Sequence, residues 1–231
     1  MFKNYCKTAI RNLRRYKGSA LINIASLGIG MISCLAISLF IRDEKQYDQF
    51  IRGGENIYRI YGQQSDHDRI ALMVPVPPVY AGFLQGYPEV ESRARILMAG
   101  GKYLVELDDT KNYEEKGWYV DSTFFAIFPL KFLRGNPATA LREPATVVIS
   151  EDMARRYFGT GDPLGKTIKI DNKPYTISGV LEKLPAQFHL DFHYLMPLSA
   201  AMIPAQGMES REWNPFYTYA SSPLTPLPQT R

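Results

Sequence analysis

Three places in this 231-residue chain hold side chains whose type and spacing could do chemistry. Residues 159–167, GTGDPLGKT, look like a phosphate-binding loop, in which backbone amides cradle phosphate and a lysine neutralises it. That motif needs four residues between its first glycine and the Gly-Lys pair. Counting back from Gly165 puts Thr160 where glycine is required, so the segment reads instead as a turn built by Asp162, Pro163 and Gly165 ahead of a strand. His189 and His193 are four apart, which on a helix would set two imidazoles on one metal with Asp191 as a third ligand. Leu190, Phe192 and Tyr194 interleave with them, so the period is two and a half-buried strand is the preferred reading. The third histidine, His67, sits between Asp66 and Asp68, a cluster that a solvated loop explains. No nucleophile-elbow pattern and no GxGxxG fingerprint occurs. No catalytic, cofactor-binding or metal-ligating residue is therefore assigned, and the protein is not expected to be an enzyme.

The elements that would carry these residues begin with a membrane anchor. Residues 20–41, ALINIASLGIGMISCLAISLFI, contain no charge. At about 1.5 Å per residue they span roughly the 30 Å hydrocarbon core of a bilayer. A cleavable signal peptide is disfavoured, because its apolar region is shorter and precedes a small-x-small site, whereas this one runs straight into Arg42, Asp43 and Glu44. Ahead of it, residues 1–19 carry Lys3, Lys7, Arg11, Arg14, Arg15 and Lys17 and no acid. Positive charge resists translocation, so the N-terminus is expected in the cytoplasm and everything after residue 41 outside, in the periplasm of a bacterium with two membranes. Phe2, Tyr5, Cys6, Ala9, Ile10, Leu13 and Tyr16 recur at spacings of three and four between the basic residues, the pattern of an amphipathic helix on the inner leaflet. A positive flank without fixed structure is the other reading. Within the span Ser26, Gly30, Cys34 and Ser38 stand four apart, a stripe of small side chains against which another membrane helix could pack.

The outer region, 42–220, reads as α+β. Strand-type runs fall at 57–61, 103–107, 146–149, 167–170 and 175–180, with helices at 77–85, 122–127 and 151–158. Ser150 can cap the last helix and Gly159 can stop it. Asp171, Asn172 and Lys173 separate two alternating runs and predict a hairpin. Residues 221–231, with three prolines among Ser, Thr and Gln, read as an unstructured tail.

Composition narrows the class. With 45% hydrophobic and 22% charged residues the chain is neither disordered nor collagen-like. Its two cysteines, Cys6 and Cys34, precede the outer region, which must be held by packing rather than disulfides. Net charge is +4, and removing the +6 of the first nineteen residues leaves −2 on the rest, so nucleic acid is not an expected partner.

The opening FKNYCKTAIRNLRRYKGSALINIASLGIGMISCLAISLFIRDEKQYDQF, with ENIYRIY after it, resembles the start of MacB-like and FtsX-like ABC transporter permeases of the Bacteroidetes type. Residues 124–192 resemble the MacB-like periplasmic core domain. The resemblance rests on Phe124 and Phe125, Gly135 with Ala140 and Leu141, the 147–150 strand end, and Tyr157-Phe158-Gly159. It continues through Asp162-Pro163-Leu164-Gly165-Lys166, Gly179-Val180, and Leu184-Pro185 followed by His189. It implies a periplasmic domain of mixed sheets and helices after the first membrane helix, with Tyr157, Phe158, Gly159, Asp162, Pro163 and Gly165 as fold-determining turn residues rather than ligands. The implied function is mechanical: a separate cytoplasmic ATPase dimerises on ATP, and the membrane helix carries that motion to the periplasmic domain, in export of antimicrobials, peptides or lipoproteins or in mechanotransmission. Implied partners are that ATPase, other permease helices or a second permease copy, membrane lipids and a periplasmic adaptor protein, with the bacterial inner membrane as location. Complete permeases carry further membrane helices after this domain, and none occurs before Arg231. The chain therefore reads as the N-terminal part of a truncated or frameshifted permease. The alternative is a single-pass anchored scaffold that recruits a periplasmic partner without transport.

Overall fold

A computed structural model describes residues 2–66 and 69–222. His67 and Asp68 lie outside the described residues, as do residues 223–231 of the expected tail. The chain divides into two units, Met1–Tyr47 and Asp48–Arg231.

The first unit is two helices, α1 (Phe2–Arg15) and α2 (Lys17–Gln46). Arg14 and Arg15 end α1, where positive charge complements the helix dipole. At Tyr16 the backbone leaves helical geometry (φ −114°, ψ 58°), and the path resumes at once, because the Tyr16 carbonyl accepts from the Ala20 N–H. The apolar stretch 20–41 lies inside α2, whose charged ends extend it to 30 residues, about 45 Å. No residue of α2 is buried, and Leu21, Ile29, Leu35 and Phe40 are all more than half exposed. A core helix of a water-soluble domain hides its apolar face, so this exposure on every side is what lipid or neighbouring helices would cover. Two hydroxyls inside it are satisfied by the helix backbone: Ser26 donates to the Ile22 carbonyl and Ser33 to that of Ile29.

The second unit is a mixed α/β domain with β1 (Ile57–Ile60), β2 (Gly62–Asp66), β3 (Arg69–Met73), β4 (Ser92–Met98), β5 (Tyr103–Leu107), β6 (Thr110–Glu114), β7 (Gly117–Val120), β8 (Phe132–Gly135), β9 (Thr146–Ser150), β10 (Thr167–Ile170), β11 (Lys173–Leu181), β12 (Tyr194–Pro197) and β13 (Phe216–Ser221). Its helices are α3 (Tyr80–Phe83), α4 (Phe124–Ile127), α5 (Glu151–Phe158) and α6 (Ala205–Met208). Eleven strands form one sheet in the order β1-β13-β4-β7-β12-β9-β11-β10-β5-β6, with β8 on the side of β11. Among the described residues, only β9/β11 and β7/β12 run parallel within it. β2 and β3 form a separate hairpin.

Strand periodicity divides the apolar residues between two cores. On β9, Val148 joins a cluster with Phe124, Phe128, Leu141 and Phe192, while Val147 and Ile149 join another with Met153, Ile168, Ile177 and Tyr194. The first is rich in edge-to-face rings, such as Phe124 on Phe125 at 5.2 Å and Phe128 on Tyr219 at 5.1 Å. Register brings Tyr194 opposite Gly117, and the phenol occupies the space a side chain at 117 would need.

Helix 151–158 has its expected bounds: the Met153 N–H donates to Ser150 Oγ, and Gly159 follows in the left-handed region (φ 59°). The expected hairpin is present too, with Asp171 and Asn172 both at positive φ. The helix expected at 77–85 shrinks to α3 and a 3-10 turn, since Pro77 and Pro78 limit its start and Gly82 weakens its middle. That expected at 122–127 starts only at Phe124, after a turn closed by the Phe124 N–H on Asp121. The strand expected through His189 and His193 begins only at Tyr194. Before it the chain is extended without a ladder, yet Leu190 and Phe192 are buried and His189 and Asp191 face outward, as the alternation requires. Ser221, placed at sequence level in the tail, pairs with Ile57, and the Ser222 N–H donates to Asn56.

Candidate functional site

The second unit begins at Asp48, and its polar contacts define the point at which the chain enters the domain. Asp48 takes a left-handed backbone (φ 59°), a conformation aspartate tolerates better than most residues. Its N–H donates to the Gln187 carbonyl at 2.9 Å, and its Oδ1 accepts from the His189 N–H at 3.1 Å. Its Oδ2 lies 2.7 Å from His189 Nδ1, and the other ring nitrogen, Nε2, lies 2.9 Å from the Tyr219 hydroxyl on β13. A carboxylate only accepts, so Nδ1 carries a proton. Burial pushes the Tyr219 phenol up to about 12, and the protonated hydroxyl can donate to Nε2 of a neutral ring. The first residue of the domain is thereby tied to a segment about 140 positions later and, through one imidazole, to a strand inside the sheet.

The two histidines are thus not joint ligands. His193 Nδ1 is buried, 3.4 Å from Glu114 Oε2, outside hydrogen-bond geometry. Each imidazole faces its own carboxylate, and among the described residues no three metal-ligating side chains converge. Glu114 is 2% exposed, and its Oε1 accepts from Arg156 Nη1 and, at 3.1 Å, from the Tyr157 hydroxyl. This network pins α5 to the end of β6. Burial, reinforced by the Glu114 carboxylate, raises Tyr157 to about 12, and the hydrogen bond to Glu114 raises Arg156. A third tie is the two-pronged Arg95–Asp121 pair, both contacts 2.9 Å, between β4 and the turn before α4.

The glycine-rich loop turns its amides inward. The N–H groups of Gly159, Gly161, Gly165 and Lys166 donate to the carbonyls of Arg155, Phe158, Ile177 and Pro163, and the Leu164 N–H donates to Asp162 Oδ1. Those donors are not free to cradle a phosphate. Gly165 needs its left-handed φ of 77° to make this turn; of the group, Tyr157 joins the second core, Phe158 packs against it and Pro163 is buried. In α2, Ser26, Gly30, Cys34 and Ser38 are all exposed on one stripe, and nothing lies within 4 Å of where a side chain at Gly30 would begin.

Sequence reasoning missed Asp48 and Glu114. Asp48 stands in a polar run, KQYDQF, and Glu114 in the triplet EEK at 114–116, where nothing local separates a buried acid from its solvated neighbours.

Residues 20–224 match the MacB-like periplasmic core domain. Among solved structures the domain is similar to a domain of a protein named as a permease from Porphyromonas gingivalis, at TM-score 0.65 and 23% identity over 78% of each chain. It is also similar to the periplasmic region of MacB from Actinobacillus actinomycetemcomitans, at TM-score 0.54 and 16% identity, over 73% of this chain and 75% of that one. Likenesses at such identities establish the fold. None of the curated proteins compared with the chain matches it.

Proposed function

The chain belongs to the MacB-like periplasmic core domain family, and on that premise we propose that it serves as part of an ABC transporter permease whose work is mechanical rather than catalytic. A partner ATPase in the cytoplasm supplies the motion, α2 carries it across the inner membrane, and the domain beyond Asp48 delivers it in the periplasm to export or mechanotransmission. The observation that carries this reading is the extent of the match, which starts inside α2 and runs to residue 224, so the apolar helix and the outer domain belong to one family unit. The basic N-terminal segment supports an inward-facing N-terminus. The ties from Asp48 to Gln187, His189 and Tyr219 support transmission, because a pull arriving along the backbone meets several bonds at once.

Two measurements test this. Alkaline phosphatase fused after Ser222 is expected to be active, and activity confined to a cytoplasmic reporter would overturn the orientation. Affinity purification from the source cells is expected to recover a nucleotide-binding ATPase subunit. Recovery of a periplasmic protein alone would favour the anchored scaffold.

A further inference from the structure

A groove of about 680 Å³ opens in the outer domain between the 98–102 turn, the 115–116 turn, β13 and the segment 189–191. That volume lies in the range of small-molecule sites, about 300–1,000 Å³. Its floor is apolar and largely aromatic: Trp118, Leu190 and Tyr219 are buried beneath it, and Met98 forms a half-exposed edge. Gly100 and Gly101 leave the rim open, with nothing within 4 Å of where their side chains would begin.

The charges on the rim are unequal in availability. Lys102 pairs with Glu115 at 2.7 Å and Lys116 with Asp191 at 2.5 Å, so these four cancel. Arg59, on β1 opposite Tyr219, pairs with no carboxylate among the described residues, and its guanidinium approaches the Tyr219 hydroxyl. The His189 ring adds no competing acceptor, because its nitrogens are occupied by Asp48 and Tyr219. Among the described residues, the groove therefore combines an aromatic floor with a planar, two-pronged cation that no carboxylate pairs, and guanidinium geometry matches a carboxylate.

We propose that this groove binds a small amphiphilic carboxylate, its apolar body against Met98, Ala99 and Tyr217 above the buried Trp118 and Tyr219, and its anionic end on Arg59. A neutral analogue would lose the charge-assisted contact, and a cationic one would meet Arg59. The site lies wholly in the outer domain and does not depend on an ATPase partner or on transport.

The test uses the full chain in nonionic detergent micelles with Trp213→Phe, which leaves Trp118 as the sole indole. Phenylbutyrate is titrated while Trp118 emission is followed, with phenylbutyramide and phenylbutylamine as the neutral and cationic counterparts. The expected result is a saturable shift with phenylbutyrate and binding at least about tenfold weaker for the amide and the amine, the scale of one charge-assisted hydrogen bond. Arg59→Met, an exposed position, is expected to bring phenylbutyrate down to the affinity of the amide without changing the amide itself. Ala99→Phe, which fills the groove, is expected to abolish both. A shift that rises linearly without saturating, equal binding of the amine, or unchanged phenylbutyrate affinity in Arg59→Met would each overturn the assignment.

Discussion

Replacing Gly117 by alanine tests the packing that joins the two halves of the sheet. A methyl group at 117 would sit under 3.0 Å from Cζ, Oη and Cε2 of Tyr194. Carbon atoms prefer about 3.5–4.0 Å, so the ring would have to recede by roughly an ångström or more. Tyr194 is 0% exposed and packed in the second core, and the Gly117 carbonyl is held by the Ala99 N–H, so neither the ring nor the strand can move freely. Overpacking usually costs about 1–3 kcal/mol, and this overlap with the middle of a confined ring belongs at the upper end, about 3 kcal/mol. Tyr194→Leu alone leaves a void and costs about 2 kcal/mol. Together the changes relieve one another, so the double variant should be more stable than the sum by about 2 kcal/mol. Urea unfolding of the full chain in micelles, followed by near-UV circular dichroism, measures all three. A Gly117→Ala chain within about 0.5 kcal/mol of the parent, or two strictly additive effects, would refute the reasoning.

Gly135→Ala puts a methyl against the Ser178 carbonyl and 2.8 Å from Gly179 Cα, at a φ of 89°. Backbone cannot yield as a side chain does, so β8 should detach from β11, seen as faster hydrogen exchange at Val180 and Leu181 and a loss of about 2–3 kcal/mol. Asp48→Ala removes two contacts to His189 and should cost about 2 kcal/mol. Exchange should quicken at the His189 amide but not in β9–β11, and a uniform rise would show global loosening instead. The phenols of Tyr157 and Tyr219, both raised by burial to about 12, bind protons in the folded state that the unfolded chain releases near pH 10. Their stabilising contribution is complete below pH 10 and disappears as pH rises towards 12, about 2–3 kcal/mol for each at most. Unfolding measured between these limits should show the fall, and Tyr219→Phe should reduce its slope.

Features encoded by neighbouring residues were the legible ones. A run without charge reveals α2, Ser150 and Gly159 bracket α5, and Asp171-Asn172 supplies the two positive φ values a tight hairpin needs. The strands β7 and β12 were harder, since GWYV and YLMP are four residues long and buried on both faces, so they lack alternation. On β4, Arg93 and Arg95 mask a strand whose Ala94 and Ile96 are fully buried, because Arg95 is spent on Asp121. The entry point was invisible for another reason: Asp48 and His189 meet across 141 positions, and no local spacing records that. The alternation at 189–194 nevertheless identified which side chains face away from the core, and that placed His189 where Asp48 could reach it.

The pairing of β1 with β13 sets residue 57 opposite residue 221, and the Ser222 amide closes on Asn56. The near ends of β1 and β13 are consequently one strand spacing apart, about 5 Å, although the domain itself is entered earlier, at Asp48. Tension that parts those ends would open the β1–β13 ladder like a zipper, rung by rung from its mouth, whereas hauling both together would leave every rung unstressed.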